Sequence, residues 1–493
     1  MKRQRNFKIS SAMHGFEKEG IRITPEGFLS PTLHPEGLGS SLMNPYITTD
    51  FTEPQLEFRT SPSDTLCLSL HQLKQIHIYT TKALKDECIW PFSMPPELPA
   101  KEEDIPLAVY GSSALGKKKT VYRRGIGFRY GRRKLTISGV HYNFSLDLSW
   151  FKCDFPGKQV NDDPLSIPDC YFNIIRNLHR KIFYLTYLFG ASPAFDKSFK
   201  APGINRFKRH KSSTYYGEFV TSFRASEIGY TSEVQNQLPI NYDSLEAYIK
   251  SLGYAVFTCN PDYLKISSHA CNQLNPNYLQ TEHELYAHFR PKQQMDSGVR
   301  LLDALEQKGV GYLELRLPDI DPEYPEGIDP YTMGFLHLMI LDCLMNESPP
   351  LTNKESKEIH SAHQEIIWNG RKKGIGILVD GKSRPFHDAG KKYCEGLYRL
   401  AEKMDQGKGS DFYQESLKRQ IGKWESPELT PSGKLLSDLL DNNREFIESG
   451  VEIADKNVQY FSECKYDPDF REEIETQTLL SVKLQRKLEA CEE

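Results

Sequence analysis

Four short segments alternate apolar and polar residues with a period of two, the pattern of β-strands with one face buried. In Phe16-Glu17-Lys18-Glu19-Gly20-Ile21-Arg22-Ile23 the alternation puts Glu17 and Glu19 on one face. Glu57 and Arg59 share a face in Gln55-Leu56-Glu57-Phe58-Arg59. His141, Asn143, Ser145 and Asp147 form the polar face of a strand that turns Val140, Tyr142, Phe144, Leu146 and Leu148 the other way. Glu314 and Arg316 share a face opposite Leu313, Leu315 and Leu317. The turn signal Thr24-Pro25-Glu26-Gly27 predicts a hairpin in the first sixty residues.

Helical periods occur between these strands. Ser63-Asp64 is a plausible N-cap for a helix carrying Leu66, Leu70, Leu73 and Leu84. A proline-rich connector, Trp90 to Pro96, follows. A long buried helix is predicted from about Ile167 to Tyr187, stopped by Gly190. Strand and loop are expected to fill the middle of the chain through Asp321-Pro322. After about residue 328 helical periods dominate, with Phe335, Leu338, Met339 and Leu344, then segments near Ile359, Tyr398, Tyr413 and Leu435. The highly charged last thirty residues are expected to fray. The pattern predicts an α+β fold: a mainly antiparallel sheet in the first two thirds and a helical C-terminal third packed against it. Residues 1–328 would form the catalytic core and 329–493 the helical part, together one structural unit.

Composition narrows the function. The 493 residues carry a formal net charge of -4, which gives no general attraction to nucleic acid or to an anionic membrane. Ten cysteines without a CxxC pair or regular spacing read as reduced thiols in a cytoplasmic protein. The basic N-terminus lacks the apolar run of a signal peptide, and no apolar stretch is long and uncharged enough to span a bilayer. Gly111 to Lys118 nearly spells a phosphate-binding loop, but Lys118 replaces the hydroxyl residue, and no flanking strand and helix are expected there. From Lys117 to Lys134 basic and aromatic residues interleave, read as a basic loop near a nucleotide phosphate or as solvated surface.

Taken singly, each alternating strand is an ordinary half-buried strand with a solvated polar face. Taken as neighbours in one sheet, they bring several carboxylates into a small volume, where two unit charges about 4 Å apart repel by about 4 kcal/mol at an effective dielectric near 20. Such a cluster requires cations. Oxygen ligands with a single imidazole suit Mg²⁺ or Mn²⁺ rather than zinc. Arginines on the same faces indicate an anionic substrate, and the combination points to phosphoryl transfer. Tyr122, Tyr230 and Tyr286 come from separate segments and are candidates either for a pocket lining or for plain packing.

As strings, several segments resemble the proteobacterial-type glutamate–cysteine ligase family. They are Gly15-Phe16-Glu17-Lys18-Glu19, His34 to Ser40, Ile47 to Phe58, Ile137 to Ser145, Tyr187 to Ala194, Glu284 to Lys292 and Tyr312 to Arg316. The resemblance covers residues 14 to about 322 and is much weaker beyond 330. It implies a curved sheet lining the active site, surrounded by helices. It implies ATP-dependent joining of L-glutamate, through its γ-carboxylate, to L-cysteine via γ-glutamyl phosphate, the first step of glutathione biosynthesis. Glu17, Glu19, Asp50, Glu57, His141 and Glu314 would hold a Mg²⁺ cluster, with Mn²⁺ as a substitute. Arg224 and Arg316 would lie near glutamate and the transferred phosphoryl group. Tyr122, Ile126, Tyr230 and Tyr286 would line the cysteine pocket, together with Leu135 where the enterobacterial form has glutamine. That departure bears on acceptor recognition. The alternatives are a γ-glutamyl ligase for another amine, and a non-enzymatic relative with a decayed site. The protein is expected to act as a monomer, without nucleic acid or membrane partners, and its length leaves no room for a complete glutathione synthetase domain.

Overall fold

The structure is a computed structural model describing residues 12–146, 166–229, 232–268, 271–296, 298–379, 381–407 and 409–491. Asp147 and Tyr230 lie outside the described residues. The strands are β1 (Ala12–Ile23), β2 (Ile47–Thr49), β3 (Gln55–Arg59), β4 (Cys88–Ile89), β5 (Val140–Leu146) and β6 (Ala194–Asp196). After them come β7 (Lys208–His210), β8 (Thr214–Tyr216), β9 (Phe289–Lys292), β10 (Tyr312–Leu315), β11 (Gly376–Val379) and β12 (Lys382–Pro385). The main sheet runs β2-β3-β1-β5-β10-β9, with β4 paired to the end of β1. All its pairings are antiparallel, so the four alternating segments are indeed neighbours.

The helices of the first two thirds are α1 (Leu66–Ala83), α2 (Ala114–Tyr130), α3 (Ser166–His179), α4 (Ile182–Phe189), α5 (Glu233–Asn236), α6 (Leu245–Phe257) and α7 (Leu301–Lys308). The remainder carries α8 (Pro330–Met345), α9 (Asn353–Asn369), α10 (Phe386–Gly396), α11 (Tyr398–Asp405), α12 (Phe412–Glu425), α13 (Pro431–Asp441), α14 (Phe446–Glu463) and α15 (Pro468–Ala490). The apolar face of the sheet, with Phe16, Phe58, Tyr142, Phe144, Leu313 and Leu315, packs on α1, α3 and α8 in one core that extends to Ile474. Burying this face forces the alternating polar face to the other side. The fold is therefore α+β with a helical C-terminal third, as the patterning predicts.

Several local expectations are corrected. The Thr24–Gly27 turn forms, but a single Ile23–Leu29 bridge follows it rather than a hairpin ladder; β1 pairs instead with β3 and β5. The cap of α1 is Thr65, whose side chain accepts from Leu68 N, two residues beyond the expected Ser63. The predicted helix over 167–187 is two helices, broken where Arg180 pairs with Glu355 at 2.5 Å. The apolar pattern ran on through the break because α3 and α4 both bury apolar faces. The middle of the chain holds α6 and α7, not only strand and loop.

The basic stretch expected as a loop is the helix α2, capped by Ser113 accepting from Gly116 N at 3.1 Å. Two of its arginines are held internally, while Lys117 and Lys118 are exposed: Arg129 donates to Glu284 at 2.9 Å and to Gln273 at 2.7 Å, and Arg123 to the Asp50 carbonyl. The charged C-terminal segment expected to fray forms the helix α15, which docks on the N-terminal segment. Ser481 Oγ accepts from Ser40 N at 3.0 Å, and Glu489 from Ser112 N at 2.7 Å. At Gly39, φ is +77° and a Cβ would lie 2.6 Å from Ser481 Oγ, so only glycine permits this approach. No described helix is long and apolar enough to cross a membrane.

Candidate active site

The polar face of the sheet carries the predicted cluster. Antiparallel register sets Glu17 of β1 opposite His141 of β5, Glu19 opposite Glu57 of β3, and Glu314 of β10 opposite Asn143. Ligand atoms of Glu17, His141 and Glu314 all lie within 4.8 Å of one another. His141 Nδ1 is 3.3 Å from Glu17 Oε2 and 3.8 Å from Glu314 Oε1, while its Nε2 is 3.5 Å from Glu19 Oε1. Asn143 donates to Glu17 at 2.8 Å, and Gly139 N donates to Glu19 at 2.7 Å. Asp50 follows β2 and adds its charge to those of Glu19 and Glu57.

Two electrostatic environments coexist here. Burial works against ionisation of Glu17, but the His141 hydrogen bond and the charges of His141 and Lys292 hold its carboxyl down to about 2, against the opposing charge of Glu314. Glu314 is likewise buried, yet Lys292, Arg290, Arg316 and His141 hold it well below the usual carboxylate range. Burial and the Asp50 charge instead push Glu19 up to about 8, with Arg224 and Arg316 only partly opposing them. Burial also raises Glu57 to about 7 despite Arg59, because Glu17 and Asp50 add negative charge. Burial and Arg316 lower His141, against the Glu17 hydrogen bond and the charges of Glu314 and Glu17. Asp50 Oδ2 and His141 Nε2 are buried and take no hydrogen bond. Orphaned acceptors among five carboxylates and one imidazole fit a hard divalent cation.

The arginines border a cleft lined by Arg224, Ala225, Asn236, Tyr286, Ala287, His288, Arg316 and Leu317. Arg316 Nη1 lies 3.8 Å from Glu314. Arg224 is buried; its Nη2 donates to the Arg316 carbonyl at 2.8 Å, and its Nη1 pairs with Asp319 at 3.4 Å. The guanidinium lies on Gly139, where a Cβ would come within 2.1 Å of it. Tyr122, Ile126, Leu135 and Tyr286 also come together, with Phe51 and Tyr130, in an apolar cluster beneath α2. Tyr286 is held by its N–H donating to Gln235 at 2.6 Å and by the Tyr130 ring at 5.1 Å. Leu135 is buried within this wall.

Sequence reasoning passed over Arg290, Lys292, Gly139 and His288 as site residues. Arg290 and Lys292 alternate on β9 and pair with Glu314 at 3.3 and 3.9 Å. The period-two rule would have found them, had Pro291 not interrupted the strand signal. The other two carry no local signal.

An open antiparallel sheet with a carboxylate–imidazole cluster on one face and arginines beside it is the framework of an enzyme that handles a multiply charged anionic substrate. Comparison with known proteins specifies which. The glutamate-cysteine ligase family model matches residues 1–366, and the chain belongs to this family. The glutamate–cysteine ligase of Leptospira interrogans serovar Lai is 46% identical over 98% of this chain and 93% of its own length. That of Pseudomonas putida KT2440 is 37% identical over 98% and 93%. The glutamate–cysteine ligase of Francisella tularensis, solved in complex with AMP, superposes with a TM-score of 0.90 at 31% identity, covering 99% of this chain and 96% of that one.

Proposed function

We propose that the protein is an ATP-dependent ligase that joins the γ-carboxylate of L-glutamate to the amine of L-cysteine, the first step of glutathione synthesis. It would work in the cytoplasm as a monomer. The observation that carries the reading is the convergence of Glu17, His141 and Glu314 within 4.8 Å beside Arg316.

A carboxylate is a poor electrophile because oxide would have to leave; phosphorylation by ATP turns the leaving group into inorganic phosphate. Glu17, Glu19, Asp50, Glu57, His141 and Glu314 would hold Mg²⁺, or Mn²⁺ in its place. The chemistry such ions supply is neutralisation of phosphate and carboxylate charge. Arg316 presents a permanently charged fork to the phosphoryl group being transferred. Arg224 adds positive charge and, through its bond to the Arg316 carbonyl, fixes where that fork sits. Tyr122, Ile126, Leu135, Tyr230 and Tyr286 would enclose the small side chain of cysteine.

The test is ADP release with glutamate, ATP and Mg²⁺ against cysteine, 2-aminobutyrate, alanine and a diamine. Cysteine should have the highest specificity constant, with 2-aminobutyrate weaker within the roughly 1 to 3 kcal/mol that an apolar lining can discriminate. A diamine ahead of cysteine refutes the acceptor assignment, and ADP release independent of glutamate refutes the whole reading.

A further inference from the structure

The amine that attacks the acyl phosphate arrives as an ammonium, and the carboxylate cluster offers it no free base. Glu17 is held by His141 and Asn143, and Glu314 by His141 and by Arg290 and Lys292 of β9. The arginine cleft is also lined by one titratable group that the mechanism above leaves unused, His288. It immediately precedes β9, and its carbonyl accepts from Arg316 N at 2.9 Å, so its backbone is tied to the strand end that carries Arg316. Its ring is half-buried. It packs edge-on against His363 at 5.2 Å and beside Phe289 at 6.5 Å, and makes no hydrogen bond to a described residue. His363 is in turn fixed by Thr186 Oγ1 at 2.7 Å. The ring therefore has a rigid support and ring nitrogens uncommitted beside the two guanidiniums.

From this geometry we infer that His288 is the base that takes a proton from the acceptor ammonium, freeing the amine to attack the γ-glutamyl phosphate. This assignment rests on the ligase reading above. The acceptor ammonium loses two protons in becoming an amide. His288 takes one, freeing the nitrogen lone pair. The nitrogen attacks the γ-carbonyl carbon, the C–N bond forms, and the C–O bond to phosphorus breaks. The departing phosphate carries away the electron pair and the second proton, as hydrogen phosphate. Product release then returns the imidazolium proton to solvent.

The surroundings suit the role. The charged and titratable groups around the ring are Arg224 and Arg316 from the cleft, His179 from α3, and His360 and His363 from α9. Burial and the positive character of these neighbours lower His288 to about 3, so the imidazole is neutral before substrate enters. An acyl phosphate between the two arginines would offset their charge and so raise the basicity of the ring, with burial still opposing protonation. A third arginine or a lysine at this place would add to the repulsion of the ammonium; a neutral ring does not.

The test uses two nucleophiles. Cysteine is protonated at neutral pH, whereas hydroxylamine is already neutral and needs no base to free its lone pair. His288→Gln and His288→Ala should lower cysteine ligation by roughly a hundredfold in kcat at pH 7. Hydroxamate formation from glutamate, ATP and hydroxylamine should be nearly unchanged, and the cysteine defect should shrink as pH rises and the free amine appears. Equal loss with both nucleophiles, or no loss with cysteine, overturns the assignment of His288. Absence of glutamyl hydroxamate with the unaltered protein instead refutes the ligase reading, so the two failures are separable. Retained hydroxamate formation also shows that the variant is folded.

Discussion

The two halves of the carboxylate cluster lie on one sheet face, meet on β1 at Glu17 and Glu19, and are opposite in character. Glu17 and Glu314 are ringed by His141, Lys292, Arg290 and Arg316 and stay ionised. Glu19 and Glu57 share their side with Asp50, with less cationic compensation, and burial pushes them up into the neutral range. One half is thus compensated by the protein itself, while the other holds protons that a divalent cation would displace. A cluster uniform in either sense would serve less well. Fully compensated carboxylates bind cations weakly, and uncompensated ones destabilise the empty site.

The largest effect should come from the compensated half. Glu17→Gln and Glu314→Gln are expected to abolish turnover in an ADP-release assay while leaving the circular dichroism spectrum native. Near-normal activity of either variant at limiting Mg²⁺ would dissolve the distinction. Arg316→Lys keeps the charge beside Glu314 but loses the bidentate fork, and kcat should fall at least roughly tenfold, about 1.4 kcal/mol of transition-state stabilisation. A change confined to KM for cysteine would move Arg316 out of phosphoryl transfer.

Asn143→Ala probes how Glu17 is held, since it removes only the 2.8 Å donor to that carboxylate. The Mg²⁺ concentration for half-maximal rate should rise about tenfold, with full rate recovered at saturation. A kcat loss that Mg²⁺ does not restore would give Asn143 a direct part in the reaction.

The smallest effect concerns the protonated half. Because Glu19 and Glu57 titrate at about 8 and 7 in the folded protein and near 4.5 when unfolded, the folded metal-free state binds more protons between these limits. Their contribution to stability is full below pH 4.5 and is lost as pH rises through 8. Thermal melts without Mg²⁺ should therefore lose several degrees between pH 6 and 8.5, and added Mg²⁺ should restore more at the higher pH. An equal Mg²⁺ increment at both pH values would show that these two carboxylates do not exchange protons for metal.

Much of this site was legible because strand periodicity encodes which side chains share a face. Glu17, Glu19, Glu57, His141 and Glu314 sit on β1, β3, β5 and β10, where apolar residues on alternate positions mark the core side. Asp50 sits just outside β2, and alternation says nothing about it; only the resemblance of its surrounding string singled it out. The basic run over 117–134 was misread for a related reason. With apolar positions scarce, α2 carries little amphipathic signal, and its helix is held by its cap and by arginines reaching distant carbonyls and Glu284.

The sequence alone determined the α+β class, the polar face of each strand, the oxygen-rich donor set and, through its motifs, the family. Those are local properties, written in spacings of two and of three to four residues. Tertiary structure decided the strand order that puts β1 between β3 and β5, and the cations of β9 that hold Glu314 ionised. It also decided the docking of α15 on Gly39 and the placing of His288 in one cleft with Arg224 and Arg316. These depend on contacts between residues far apart in the chain, and on burial, which sets both the cost of a charge and the neighbours that offset it.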